Sequence, residues 1–158
     1  MTPQQRAELS AKAMMAEDRA SPWLGISLDG VGPGTAEMSL VVEAHHCNGH
    51  HVCHGGYIFT LADTAFAFAC NSYNQASLAH QNSITFCAPG QIGDHLIARA
   101  VEVTRAGRSG VYDVTVSNQD GTVVALMRGN SRTIKGTNFD EEAAEAVQGN
   151  FSGEEQDG

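Results

Sequence analysis

Apolar and polar residues alternate most cleanly between residues 35 and 43, where Ala36, Met38, Leu40 and Val42 fall on one face and Thr35, Glu37, Ser39 and Glu43 on the other. That period of two predicts a strand with one buried face. A second alternation at 110–118 sets Tyr112, Val114 and Val116 against Asp113, Thr115 and Ser117, and predicts another. Further strands are expected at 23–31, ending in the turn residues Gly30, Gly32, Pro33 and Gly34, and at 79–87, stopping at Pro89-Gly90. Two more are expected at 95–105, which alternates only loosely, and at 122–134, after the hairpin signal Asp120-Gly121.

Two segments follow the helical period instead. Residues 4–20 carry Leu9, Ala13 and Ala16 at helical spacing, with Pro22 closing the helix. Residues 55–72 (GGYIFTLADTAFAFACNS) have apolar side chains around the whole axis, the pattern of a helix buried on most sides. Two strands, one long buried helix and four strands joined by short turns make an α+β domain with an antiparallel sheet curled around the helix.

The chain of 158 residues is expected to form one domain over residues 1–136, followed by an acidic tail over 137–158. After Lys135 there are seven acids and no Lys or Arg, so the tail supplies most of the net charge of −9; it is expected to be mobile, with room for a short helix over 139–148. Residues 99–136 reverse the sign, holding six basic and three acidic side chains. That surplus suits either a small phosphorylated ligand or an accidental drift of charge between strands, and is too thin for a nucleic-acid surface. No apolar run reaches the roughly 18–20 residues of a membrane span, and the first twenty residues mix charge instead of forming a signal peptide. The expected compartment is the cytoplasm, with Cys47, Cys53, Cys70 and Cys87 as free thiols.

Candidate chemistry gathers in one loop and the helix after it. His45, His46, His50, His51 and His54 lie within ten residues, together with Cys47 and Cys53. Their spacing matches neither a pair of CxxC knuckles nor an HExxH helix, so no metal is expected. His54-Gly55-Gly56 opens the long helix, where backbone N–H groups have no partner inside the helix and glycine lets a ligand approach them. Such a site stabilises an anion, or the oxyanion formed when a carbonyl is attacked. Asp63, in Leu61-Ala62-Asp63-Thr64-Ala65, is the only acid between His54 and Asp94. It either caps a second helical segment beginning at Thr64, finds a structural partner, or serves as a functional base or nucleophile. On one helix, Gly55 and Asp63 stand about 12 Å apart along the axis, at about 1.5 Å per residue. They meet at one reacting carbonyl only if two chains pair their helices antiparallel, giving two equivalent sites per dimer.

These residues resemble a known family. Asn48-Gly49-His50, Cys53-His54-Gly55-Gly56 and Leu61-Ala62-Asp63-Thr64-Ala65 are similar to the signature of the hotdog-fold acyl-CoA thioesterases, and most to the PaaI-type enzymes of phenylacetic acid degradation. The resemblance runs on through Ala69-Cys70-Asn71-Ser72, Pro89-Gly90, Gly93-Asp94, Gly110-Val111-Tyr112-Asp113 and Val124-Ala125-Leu126, covering about residues 23–136. It implies a hotdog fold and hydrolysis of phenylacetyl-CoA or hydroxyphenylacetyl-CoA without a cofactor, by a homodimer with shared sites assembled into a homotetramer. The Gly55 N–H holds the thioester oxygen in this reading, His54 helps to position it, and Asn48 orients nucleophile or substrate. Asp63 of the partner chain activates water or attacks directly. By charge and location, Arg105, Arg108 and Lys135 are the expected contacts for the coenzyme A phosphates.

Two other classes fit the same fold. A hydratase or dehydratase uses a His/acid pair to move a proton, but the proline-rich approach to the helix found in fatty-acid dehydratases is absent. A non-enzymatic acyl-CoA sensor of this fold carries a DNA-binding domain, and only about 22 residues precede the first expected strand.

Overall fold

Ala36, Met38 and Leu40 are buried on one side of a strand over Thr35–Val41, as their alternation predicts, and Val42 continues the apolar face. The computed structural model describes residues 1–151. Its elements are α1 (Pro3–Glu17), α2 (Ala20–Leu24), β1 (Ser27–Gly32), β2 (Thr35–Val41), α3 (Gly55–Cys70), β3 (Ser77–Phe86), β4 (His95–Ala106), β5 (Ser109–Ser117), β6 (Val123–Thr133) and α4 (Glu141–Phe151). The six strands form one antiparallel sheet in the order β1-β2-β4-β5-β6-β3. The long helix α3 packs on its concave side, chiefly against β2, β4 and β5. Ile58, Leu61, Ala62, Ala65, Phe66 and Ala69 of α3 meet Leu96, Ala98, Val114, Val116 and Met127 of the sheet in one core.

Phe66 packs between the helix and the sheet. Its ring is fully buried, tilted against Tyr112 at 5.6 Å between centroids. A Cβ at Gly129 of β6 would stand 2.9 Å from three ring atoms of Phe66. Glycine at that register is what lets the ring lie flat on the strand.

Three expectations need correction. Trp23 is not in a strand: residues 20–24 form a short helix, Trp23 is exposed, and β1 starts at Ser27. The Asp18 carboxylate accepts from the Ser21 N–H at 3.0 Å and from the Ser21 hydroxyl, Pro22 sits in the first turn where its missing N–H costs nothing, and Gly25 at φ 83° ends the turn. Helix α1 stops at Glu17, and its buried positions are Ala7, Ser10 and Ala11 rather than Leu9, Ala13 and Ala16. Strand β3 does not pair with its successor; the connection from Cys87 to Asp94 crosses the end of the sheet and leaves β3 at the far edge beside β6. Residues 138–141 bond to the preceding domain. The Asn138 and Phe139 N–H groups both donate to Asn74 Oδ1 at 3.0 Å, and Arg6 pairs with Glu141 at the start of α4. The Arg6 guanidinium holds the Glu141 carboxyl below the usual carboxylate range. Residues 152–158 of the expected tail lie outside the described residues. No helix among the described residues is long and apolar enough to cross a membrane.

Candidate active site

The histidine-rich segment folds into a small closed loop before α3. The Asn48 N–H donates to the Val52 carbonyl at 2.9 Å, and the His54 N–H donates to the His46 carbonyl at 2.8 Å. Asn48 Oδ1 accepts from the His50 N–H at 2.9 Å, which turns the chain inside the loop. Its side-chain carbonyl is therefore occupied, and the amide Nδ2 is the group Asn48 has left to offer a ligand.

His46 is fully buried, and both its ring nitrogens are engaged, Nδ1 with the Glu43 N–H at 3.0 Å and Nε2 with the Leu24 carbonyl at 2.9 Å. Its role is to fix the loop. His45 is exposed, 3.7 Å from Glu43. Glu43, His45 and His46 cluster closely enough to hold an ion, but His46 has no lone pair free. His50 and His51 stand exposed on the loop and make no such group among the described residues.

The loop delivers His54 to the N-cap of α3, where its Nδ1 accepts the Gly56 N–H at 2.8 Å. Accepting that bond places the ring proton on Nε2, so His54 presents an N–H outward. The Gly55 N–H, one of the unpartnered donors of the first turn, makes no hydrogen bond within the described residues. Beside it opens a cavity of about 410 Å³ walled by Cys53, Ile58, Phe86, Cys87, Ala88 and Pro89. A Cβ at Gly55 would come within 3.1 Å of the Phe86 ring, so glycine keeps that donor approachable. The connection after β3 is pinned here as well: the Cys53 N–H donates to the Gly90 carbonyl at 2.8 Å.

Asp63 lies two turns along the same uninterrupted helix, so it caps no second segment. It is half-buried on a stripe with Thr60, Thr64 and Ala67, which the chain's own sheet covers only in part. Asn82 of β3 donates its Nδ2 to Asp63 Oδ1 at 2.6 Å. The other oxygen, Oδ2, takes part in no hydrogen bond among the described residues. The Asn82 side-chain oxygen, Oδ1, is buried without a partner among the described residues. Asn82 was not among the expected site residues. Its signal in the sequence is weak: within 79–87, period-two spacing puts it on the same face as Ile84, a polar side chain turned toward the helix that carries the only nearby acid.

Arg105, Arg108 and Lys135 line one open cavity of about 840 Å³, together with Cys70, Gln75 and Tyr112. That cavity adjoins the C-terminal end of α3, away from Gly55. Arg105 is partly committed within the chain: its guanidinium lies 3.4 Å over the Tyr73 ring and 3.3 Å from Glu102. Arg108 and Lys135 make no ion pair among the described residues. Burial pushes the Cys70 thiol up to about 12 and the Cys53 thiol up to about 11, so neither supplies a thiolate nucleophile near neutral pH.

The arrangement offers an unpaired backbone donor for an oxyanion and a held carboxylate with one free oxygen, the parts that acyl transfer to water requires. A family model for the thioesterase superfamily matches residues 50–125. The chain is 43% identical over 132 residues to the acyl-coenzyme A thioesterase PaaI of Escherichia coli, covering 84% of this chain and 94% of that one. The solved structure of E. coli PaaI, from the phenylacetic acid degradation operon, superposes with a TM-score of 0.85 at 42% identity, covering 86% of this chain and 99% of that one. A mutant of the phenylacetic acid degradation protein PaaI from Thermus thermophilus matches with a TM-score of 0.71 at 33% identity, covering 74% and 100%. The chain has the hotdog fold and belongs to the thioesterase superfamily, among the PaaI-type acyl-CoA thioesterases.

Proposed function

We propose that the protein hydrolyses phenylacetyl-CoA or hydroxyphenylacetyl-CoA to the free acid and coenzyme A in phenylacetate degradation, at sites shared between the two chains of a dimer. The observation that carries the reading is the placement of an unpartnered Gly55 N–H and a half-buried Asp63 on one helix. Eight residues at about 1.5 Å hold them about 12 Å apart within a chain. The partly exposed stripe bearing Asp63 runs beside β3, whose outer edge has no partner strand among the described residues. A second copy added at that edge sets two α3 helices side by side and antiparallel, bringing each Gly55 toward Asp63 of the partner subunit.

In that site the Gly55 N–H receives the thioester oxygen, and the outward Nε2–H of His54 is placed to add a second donor. Asp63 of the partner subunit takes a proton from water, or attacks directly, through the oxygen that Asn82 leaves free. Asn48 Nδ2 orients the nucleophile or the acyl group. Collapse of the tetrahedral oxyanion expels the coenzyme A thiolate, and where Asp63 has attacked directly, water then hydrolyses the mixed anhydride to release the acid and restore the carboxylate. The chain that supplies Asp63 also carries the basic cavity, about 10 Å further along α3 at Cys70. Arg108 and Lys135, with Arg105 behind them, face the nucleotide phosphates there, and two such dimers form the tetramer. Four free thiols accord with a cytoplasmic compartment.

Asn82 is a positioning residue for Asp63 in this reading. Loss of a hydrogen bond to a charged group is worth about 1.5–3 kcal/mol. Asn82→Ala is therefore expected to lower kcat by roughly 10–10²-fold with KM little changed. Asn82→Ser, which keeps a short donor, should recover part of the rate.

The test of the reading is release of free thiol from phenylacetyl-CoA and hydroxyphenylacetyl-CoA, with aliphatic esters as controls. Turnover of the aromatic esters is expected. The pair Arg108→Ala and Lys135→Ala should raise KM on the order of 10-fold with kcat nearly unchanged, and the difference should shrink at high salt. Turnover confined to aliphatic esters overturns the acyl assignment. Loss of enoyl absorbance from a crotonyl thioester without thiol release points to a hydratase instead.

A further inference from the structure

Cys47 and Cys53 flank the loop that leads into α3 and face each other as an isolated antiparallel bridge. The bonds that make the bridge run between their neighbours, from Asn48 N–H to the Val52 carbonyl and from His54 N–H to the His46 carbonyl. The two cysteines are thus a non-hydrogen-bonded pair, the closer kind, with side chains on the same side and Cα atoms about 4.5 Å apart. A disulfide needs Cα atoms about 4.4–6.8 Å apart. Both are free thiols, Cys47 half-buried and Cys53 buried. Their sulfurs hold only weak contacts, Cys47 Sγ with the Glu43 carbonyl at 3.6 Å and Cys53 Sγ with the His54 carbonyl at 3.7 Å.

We propose that Cys47 and Cys53 form a reversible disulfide, a redox modification site that clips the loop carrying Asn48 at the threshold of the oxyanion donor. The oxidant is a low-molecular-weight disulfide such as oxidised glutathione. The more accessible Cys47 loses its proton and attacks one glutathione sulfur, releasing the first glutathione thiolate. Cys53 then loses its proton and attacks Cys47 Sγ, forming the protein S–S bond and expelling the second. Two protein thiols are oxidised, one disulfide is reduced to two thiols, and two protons pass to solvent. Burial, with Cys47 alongside, holds the Cys53 thiol up to about 11, which makes the second exchange the slow one. Cys70 and Cys87 form no such cross-strand pair with either cysteine.

The experiment exposes the full-length native protein to oxidised glutathione, then counts alkylatable thiols in denaturant by intact mass. The proposal expects wild type to lose two thiols with no glutathione retained and no cross-linked dimer on a non-reducing gel, and to regain both with dithiothreitol. Cys87→Ser should still lose two, whereas Cys47→Ser, a half-buried and mild change, should lose no pair. A wild type that keeps all four thiols, one that stops as a stable glutathione adduct, or a Cys47→Ser variant that still loses a pair would overturn it. Thiol counting needs no turnover, so the outcome is independent of the thioesterase reading.

Discussion

Asp63→Asn is expected to lower thiol release from an aromatic acyl-CoA by about 10²–10⁴-fold, the range that loss of a positioned general base produces. The change is nearly isosteric. The substituted amide still offers an oxygen to the Asn82 Nδ2, which now sits 2.6 Å from the carboxylate, so the helix and β3 keep their connection. What is lost is the negative oxygen that Asn82 leaves unengaged, the atom that takes a proton from water or attacks the thioester carbon. Circular dichroism and thermal unfolding should therefore match wild type while kcat collapses. KM should move little, because the carboxylate is asked to act at the transition state rather than in binding coenzyme A. A folded Asp63→Asn variant within a few-fold of wild-type kcat would remove Asp63 from the chemistry and leave its bond to Asn82 as a structural link.

The largest stability effect is expected at Phe66. The ring is fully buried between α3 and the sheet, against Tyr112 on β5 and the bare backbone of Gly129 on β6. Phe66→Ala removes an aromatic side chain where close packing leaves little room for the walls to collapse, and truncations of this kind cost about 3–5 kcal/mol. That is a large share of the roughly 5–15 kcal/mol that holds a typical domain together. The measurement is urea unfolding, expected to show a lower midpoint with an unchanged slope. Gly129→Ala approaches the same contact from the other side, with a Cβ 2.9 Å from three ring atoms on a strand that cannot easily retreat. Combining Gly129→Ala with Phe66→Leu should cost less than the two separate losses added together, since the smaller side chain relieves the clash.

Legibility in the sequence followed how local the cause was. The alternations at Ala36–Met38–Leu40 and at Tyr112–Val114–Val116 report a local geometry, and all six side chains are buried. The all-round apolar character of residues 55–72 likewise marked a helix that a sheet must wrap. Trp23 was misplaced because a single short-range contact, Asp18 to Ser21, makes a helical turn out of a segment whose composition suits a strand. The buried positions of α1 were misread for a different reason. Ser10 is buried because its hydroxyl donates to the Asn71 carbonyl at 2.7 Å and accepts from Asn138 at 2.8 Å, partners 61 and 128 residues away. Hydrophobicity alone ranks Leu9 above it. The same distance in sequence hid the pairing of β3 with β6, and with it the contact between Asn82 and Asp63.

At the candidate site, glycine-start and lone-acid reasoning point to Gly55 and Asp63, and the helical rise of about 12 Å between them is the ground for proposing that two chains unite them. The roles expected of Asn48 and His54 rest on the family resemblance, and the structure shows that each already spends one atom on the fold: Asn48 Oδ1 on the loop and His54 Nδ1 on the helix cap. Arg105 was chosen for its charge, yet Tyr73 and Glu102 share that charge within the chain. Charge counting along a sequence does not reveal such internal partners.

The central claim, that one chain supplies the oxyanion donor and the other the carboxylate, is tested most directly by complementation. Asp63→Asn and Gly55→Val chains, each folded and inactive as a homodimer, are dissociated, mixed in equal amounts and allowed to exchange, with heterodimer formation verified by differential tagging. Random pairing makes half the dimers mixed, and each mixed dimer holds one intact site of two, so thiol release should return to about a quarter of the wild-type rate. If verified heterodimers stay inactive, the two groups act within a single chain or not together, and the shared site is contradicted.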